Sequence, residues 1–315
     1  MPSTRSASRA AARSERTRDA EAVATGPLGA LSHDELGVIF DGLANPLQPA
    51  VGAALSSTCK GLRTSLWAAL ELLKKQQTQV KKLCHKTHPR PMSCAELLDA
   101  ERLSWSSKHL TTNNLATLGK MLPNWLPSLE RVELAMNGIG DAGIDALCDG
   151  LGRGALPSLR LLGLGGNCFG PQGAEALAAA LRRGAMPKLE MLGLQGNPIG
   201  SQGVAALTTP LRKLPALRFL RIGMCDIGDE GMASLFADDG KDDFKALEML
   251  EIGFNGITDV GLAALLSAIN RGAVPHLVEL EAVTWNEATE EAVEEVFAAI
   301  ERREDGADPR ASTAI

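Results

Sequence analysis

The sequence predicts an α/β solenoid, in which short parallel strands alternate with helices along one chain. Three observations lead to this fold class: a pattern recurs about every thirty residues, each copy begins with alternating apolar residues, and each copy ends in an Ala- and Leu-rich stretch. Repetition at such a period is the signature of stacked units that share one continuous core. The clear copies begin at Leu129, Leu159, Leu189, Leu217 and Leu247.

Each copy begins with a predicted strand. In the first copy Leu129, Val132 and Leu134 precede Asn137 and Ile139, and this alternation is typical of a short strand with one buried face. The asparagine then turns the chain inward, where backbone groups of the neighbouring turn can satisfy its buried amide. The asparagine slot holds Asn137, Asn167, Asn197, Cys225 and Asn255, and we expect Cys225 to substitute for asparagine.

A glycine and a predicted helix complete each copy. The stretch at 174–183, AEALAAALRR, has a composition that strongly favours helix. A glycine in every copy fits a close approach of the turn to its neighbour. A phosphate-binding loop is the alternative, but no lysine or serine follows at the spacing that such a loop needs. The repeated glycines are Gly143, Gly173, Gly203, Gly231 and Gly261.

The repeated unit resembles the leucine-rich repeats of the ribonuclease-inhibitor subfamily, which read L-x-x-L-x-L-x-x-N-x-I-x-x-x-G-x-x-x-L. The resemblance covers Leu126 to Ala273 and implies parallel strands on a concave face and helices on a convex face. Degenerate units flank it, with Lys108 and Trp285 in the asparagine slot, as expected at the ends of a solenoid. We predict about seven turns over residues 97–303, closed by a helix from Glu287 to Arg303.

The segment before the repeats, residues 28–92, is predicted to be helical. Ser32 and Glu35 form a capping box, and an apolar stripe follows on one helix face. The segment resembles the F-box, which implies that the adaptor subunit of an SCF ubiquitin ligase docks there. The alternative is that these helices cap the open edge of the solenoid, and the two roles are compatible. The implied docking residues are Leu31, Leu36, Ile39, Phe40 and Leu43.

The two ends, residues 1–27 and 304–315, are predicted to be disordered tails. The Arg-, Ser- and Ala-rich start also resembles an organelle presequence, so import is the alternative to a plain tail. No apolar run in the sequence is long enough to span a bilayer. Six scattered cysteines form no disulfide framework, so we expect a reducing compartment, either the cytoplasm or the nucleus.

The remaining motifs argue against metal, catalytic and nucleic-acid sites. The stretch from Cys84 to Cys94 contains His85 and His88, but its intervals match no zinc-site spacing. The five histidines have no paired acid or nucleophile at a useful spacing. The basic stretch from residue 60 to residue 90 lacks an aromatic stacking platform, which favours a solvated face over a nucleic-acid site. We therefore expect no metal, no cofactor, no catalytic residue and no nucleic-acid partner.

The predicted binding surface lies on the concave face. There the outward slots of successive strands carry apolar side chains flanked by charge, and such patches mark interaction surfaces. Methionine side chains make the surface adaptable. The alternative is that the protein's own tail or a second copy covers this face. The predicted partner-binding residues are Leu161, Met191, Phe219, Arg221, Met224, Met249 and Phe254.

Three classes of function follow from these observations. The first is a non-catalytic protein–protein interaction module, with substrate recognition in an SCF-type ubiquitin ligase as its specific form. The second is a scaffold or inhibitor similar to ribonuclease inhibitor, without a ubiquitin link. The third is a regulator similar to the Ran GTPase-activating proteins, which share this repeat type, although no catalytic residue of that family carries over to this sequence.

Overall fold

The computed structural model describes residues 45–46, 48–57, 67–86, 90, 92–237, 244–281 and 283–304. The chain divides into two compact units, Met1–Lys82 and Leu83–Ile315. In the first unit, helix α1 spans Ala50–Ser57, and most of helix α2, Trp67–Cys84, lies before the unit boundary. The expected adaptor-docking residues and the two tails up to residue 27 and from residue 305 lie outside the described residues.

The second unit is a series of strand–helix turns preceded by the short helix α3 (Cys94–Leu98). The strands among its described residues are β1 (Arg102–Ser104), β2 (Arg131–Glu133), β3 (Leu161–Gly163), β4 (Met191–Gly193), β5 (Phe219–Arg221), β6 (Met249–Glu251) and β7 (Glu279–Glu281). The helices that follow them are α4 (Thr112–Trp125), α5 (Asp141–Asp149), α6 (Pro171–Arg182), α7 (Gly200–Arg212), α8 (Gly228–Phe236), α9 (Asp259–Arg271) and α10 (Glu290–Glu304). The last helix was expected from Glu287 and begins at Glu290.

The strands form one parallel sheet in the order in which they occur along the chain. Neighbouring strands pair without a shift in register, so the middle residues of all strands stack on one another. This stacking builds a core that continues from the first turn to the last, and it confirms the predicted solenoid. The buried middle residues are Leu103, Val132, Leu162, Leu192, Leu220, Leu250 and Leu280.

A ladder of buried asparagines links the turns, as predicted. Asn167 donates from Nδ2 to the carbonyl oxygen of Leu164 in its own turn, at 2.7 Å, and to that of Leu134 in the preceding turn, at 3.1 Å. Its Oδ1 accepts hydrogen bonds from the backbone N–H groups of Asn137, at 2.9 Å, and Ile139, at 3.1 Å. One buried amide therefore satisfies four backbone groups on two turns.

The ladder is incomplete around Cys225. The Cys225 thiol donates to the carbonyl oxygens of Leu194 and Gly223, both at 3.4 Å, and so replaces the amide donor as expected. A thiol sulfur is a weak acceptor, however, and the backbone N–H of Asn197, which interacts with it, lowers the pKa of Cys225 by less than burial raises it. The buried Oδ1 of Asn197 accepts no hydrogen bond within the described part of the chain.

The last turn corrects one assignment, because Asn286 and not Trp285 occupies its asparagine slot. Asn286 donates to the carbonyl oxygens of Val283, at 3.1 Å, and Ile252, at 3.0 Å, and accepts from the N–H of Asn255 at 2.8 Å. A 3₁₀ turn formed by residues 283–285 adds one residue between the strand and the slot. The constant spacing assumed from the other turns therefore gave the wrong residue.

Aspartates at the helix N-termini form a second ladder, which the sequence pattern did not reveal. Asp141 Oδ1 accepts hydrogen bonds from the N–H groups of Gly170 and Gly173 in the next turn, both at 2.7 Å. Desolvation of Asp229 would raise its pKa, but hydrogen bonds from the hydroxyl and N–H of Thr258 outweigh it and lower the pKa. A Cβ on Gly173 would lie 2.8 Å from Asp141 Oδ1, so the repeated glycine serves close approach.

Candidate protein-binding face

The face of the sheet opposite the buried middle residues, here the open face, carries two rows of side chains. The first and third residues of each strand point away from the middle one, and the shared register aligns them across the sheet. The first row is Arg102, Arg131, Leu161, Met191, Phe219, Met249 and Glu279. The second row is Ser104, Glu133, Gly163, Gly193, Arg221, Glu251 and Glu281.

The centre of the first row is apolar and unbroken over four strands. The structure brings the predicted residues Leu161, Met191, Phe219 and Met249 into direct register, one per strand. Each is half-buried, because strands packed side by side shield one another's side chains. Arg218, just before β5, places its guanidinium carbon 5.2 Å from the centroid of the Phe219 ring.

The second row is small at its centre and charged at its C-terminal end. Gly163 and Gly193 occupy the middle strands, and the Gln195 side chain lies against Gly193, where an added Cβ would be 3.0 Å from Gln195 Oε1. In the next two strands Arg221 Nε lies 2.6 Å from Glu251 Oε2. The predicted residue Arg221 is therefore already engaged within the protein, and it links β5 to β6.

Beyond the strand ends, three exposed apolar residues on successive turns form what we call the loop strip: Met224, Phe254 and Trp285. They are 54%, 54% and 59% exposed. The rings of Phe254 and Trp285 lie 4.9 Å apart between centroids, at an angle of 34°. The backbone N–H of Phe254 donates to the carbonyl oxygen of Trp285 at 2.8 Å, so the two turns are directly joined. The sequence pattern predicts the first two residues as part of the binding surface but not Trp285, which its constant spacing assigns to the asparagine slot.

At two residues of the loop strip the backbone is unfavourable for large side chains. Met224 and Phe254 have φ angles of 52° and 57°, in the left-handed region. Gly166 and Gly196 occupy the same slot in two earlier turns, with φ of 62° and 70°. A left-handed residue with a Cβ costs about 1–2 kcal/mol relative to the right-handed region. The chain thus holds large apolar side chains in water at positions where glycine would be free of strain.

Carboxylates lie on the same turns as the loop strip. The strand residues Glu251, Glu279 and Glu281 lie on the two turns that carry Phe254 and Trp285. Asp226 and Glu287 each follow a residue of the strip by two positions and are exposed. Arg221, paired with Glu251, is the one cation in the two rows of β5, β6 and β7. The C-terminal part of the open face is therefore acidic, whereas Arg102 and Arg131 are exposed at its other end.

The described residues contain no group of three His, Cys, Asp or Glu side chains placed as metal ligands would be. Their three histidines, His85, His109 and His276, are all exposed. The thiol sulfurs of Cys84 and Cys94 lie 3.9 Å apart and are not bonded as a disulfide. None of the described helices combines the length and the hydropathy that crossing a membrane requires.

A family model described as Leucine Rich repeat matches residues 126–148, 155–178, 213–236 and 247–266. The chain contains leucine-rich repeats. The matched stretches begin two to six residues before β2, β3, β5 and β6 and run into the helices that follow, so they coincide with the turns described above. No curated protein sequence matches this chain.

Solved structures to which this chain is similar include the tropomodulin C-terminal domain from Caenorhabditis elegans, with 12% identity, a TM-score of 0.38, and coverage of 64% of this chain and 98% of that one. Actin-Binding Site 2 of leiomodin-1 has 15% identity, a TM-score of 0.39, and coverage of 64% and 95%. TLR13 in complex with ssRNA13 has 18% identity, a TM-score of 0.29, and coverage of 63% and 33%.

Proposed function

We propose that the protein is a non-catalytic binding module that recognises a protein partner on the open face of its leucine-rich repeats. The observation that carries this proposal is the unbroken apolar row of Leu161, Met191, Phe219 and Met249 in register on neighbouring strands. A continuous apolar patch rimmed by charge is typical of protein-binding surfaces. The row alone is narrow, because strands are about 4.8 Å apart. A stable partner must therefore also contact the loop strip.

The test is a double substitution, Phe219→Ser with Met249→Ser, in the full chain. The partner is first identified by affinity purification and mass spectrometry with the unaltered protein. We expect the variant to bind this partner at least about thirtyfold more weakly, since truncating buried anchors commonly costs about 2 kcal/mol or more. The melting temperature of the variant must stay within a few degrees of that of the unaltered protein.

The matched control is Val260→Ser with Val278→Ser, which changes two exposed apolar residues away from the open-face rows, 71% and 53% exposed. We expect this control to bind the partner normally. Unchanged binding by the Phe219 and Met249 variant would show that the partner binds elsewhere on the protein. A collapsed melting temperature in that variant would show that the row is part of the core and not a surface for a partner.

A more specific form of the proposal is substrate recognition for an SCF-type ubiquitin ligase, in the cytoplasm or the nucleus. It is supported by the F-box-like sequence around Leu36 and Ile39. Purification of the full chain would then recover an SCF adaptor and a cullin, and Leu36→Ser with Ile39→Ser would lose both while keeping the open-face partner. Absence of adaptor and cullin from the unaltered protein would instead favour a scaffold or inhibitor without a ubiquitin link.

A further inference from the structure

We propose that the loop strip and the carboxylates around it bind a basic segment of the partner protein, with arginine or lysine side chains placed over the rings of Phe254 and Trp285. This inference rests on the proposed function, because it specifies which kind of partner segment binds to the C-terminal part of the open face. Three independent observations support it: the unfavourable backbone, the paired rings and the local charge.

The backbone geometry disfavours two of the three apolar side chains of the strip. Met224 and Phe254 take up a left-handed conformation that Gly166 and Gly196 adopt without strain in equivalent slots. More than half of each side chain remains in water, so burial in the core offsets little of that strain. Strained residues that persist at a surface cluster at ligand-binding sites.

The ring pair gives the strip a chemistry that suits a cation. The Phe254 and Trp285 rings are in contact, 4.9 Å apart between centroids, and each side chain is more than half exposed. Tryptophan is the best aromatic platform for an ammonium or guanidinium group, and phenylalanine also serves. Met224 on the preceding turn extends the apolar surface, since its N–H donates to Gly253 O at 2.8 Å and so joins the turn of Phe254.

The negative charge of this region favours a positively charged partner segment. Asp226, Glu251, Glu279, Glu281 and Glu287 contribute five carboxylates against the one guanidinium of Arg221. Their shared field attracts a basic segment and speeds its association. The same field repels the phosphates of nucleic acids. An acidic segment would meet like charge here, whereas at the opposite end of the open face it would meet the exposed arginines Arg102 and Arg131.

The experiment measures peptide binding to the full chain by fluorescence anisotropy. Three labelled peptides of about ten residues, long enough to cross three turns, share the same leucines and carry arginine, serine or glutamate at the other positions. We expect the arginine peptide to bind at least about tenfold more tightly than the serine peptide, and the glutamate peptide to bind most weakly. Added salt should weaken binding of the arginine peptide more than binding of the serine peptide.

Two pairs of variants localise the effect. Phe254→Ser with Trp285→Ser should weaken binding of the arginine peptide about tenfold, and Trp67→Ser is its control, since Trp67 is an exposed tryptophan of the first unit, at 64%. Glu279→Gln with Glu281→Gln should reduce the salt dependence of binding. Its control is Glu290→Gln with Glu291→Gln, which removes two exposed carboxylates from α10 and should change nothing.

Several outcomes would overturn the inference: equal affinity for the arginine and serine peptides, no binding of the arginine peptide below about 1 mM, or full binding by the Phe254 and Trp285 variant. Concentration-dependent dimerisation lost on changing Lys81 and Lys82 to Gln would show that helix α2 of a second copy is the occupant and would also overturn it. Failure of the proposed function is seen separately, as retention of the captured partner by the Phe219 and Met249 variant.

Discussion

At the scale of single residues, the asparagine ladder makes unequal contributions from turn to turn. Asn167 accepts hydrogen bonds from two backbone N–H groups of the preceding turn, for which the described residues offer no other acceptor, whereas Asn197 accepts none from those residues. We therefore expect Asn167→Ala to lower the free energy of unfolding by about 2–3 kcal/mol and Asn197→Ala by about 1 kcal/mol. Denaturant unfolding with an unchanged m-value is the measurement.

The most specific part of this prediction is that Asn167→Ala lowers the free energy of unfolding more than Asn197→Ala does. The carbonyl oxygens bonded by Asn197 keep other donors after substitution: Leu164 O still accepts from Asn167, and Leu194 O from Cys225. Substitution of Asn167 instead leaves the N–H groups of Asn137 and Ile139 buried and unpaired. Equal costs for the two variants would mean that water donates the hydrogen bonds that Asn197 Oδ1 lacks within the described residues.

At the scale of elements, the repeat period predicted the structural features that recur at constant spacing along the chain. The strands, the buried asparagines and the helices follow from a pattern that recurs at fixed intervals, so the fold class could be predicted from the sequence. The last turn could not, because the extra residue in its 3₁₀ turn moves Asn286 into the slot assigned to Trp285. A pattern search that allows one insertion would have found Asn286 three residues after a buried valine.

The candidate site, too, could be predicted from the sequence only in part. The first row was predictable, because alternation along a strand fixes which residues point away from the core. The loop strip was only partly predictable, because left-handed backbone is visible in a sequence only where glycine marks it. Gly166 and Gly196 occupy the position just before the asparagine slot in their turns. Met136, Met224 and Phe254 occupy the same position in other turns, so an alignment of the repeats would have revealed the strained apolar residues. The aspartate ladder could not be predicted, because it consists of contacts between one turn and the next.

At the scale of the whole molecule, acidic residues contribute to stability through their ionised form. The Arg90 guanidinium and the Ser93 backbone hold the pKa of Glu96 at about 2. The hydrogen bond from Arg218 lowers the pKa of Glu248, and the bonds from Thr258 overcome desolvation to lower that of Asp229. All three groups bind protons more tightly in the unfolded chain than in the folded one. Stability must therefore depend on pH in the acid range.

The sign of this dependence is fixed by the lowered pKa values. Because the unfolded chain binds more protons, the contribution is fully present above the unfolded pKa values and is lost as pH falls through the folded ones. We expect the denaturant midpoint to be flat from about pH 7 to about pH 5 and to fall steadily towards about pH 3. Asp229→Asn should flatten part of this fall, because the amide cannot change charge, while Glu230→Gln, an exposed neighbour on α8, should not. A midpoint that rises on acidification, or the same slope in Asp229→Asn as in the unaltered chain, would show that the bonds to Thr258 and its turn do not favour the ionised carboxylate.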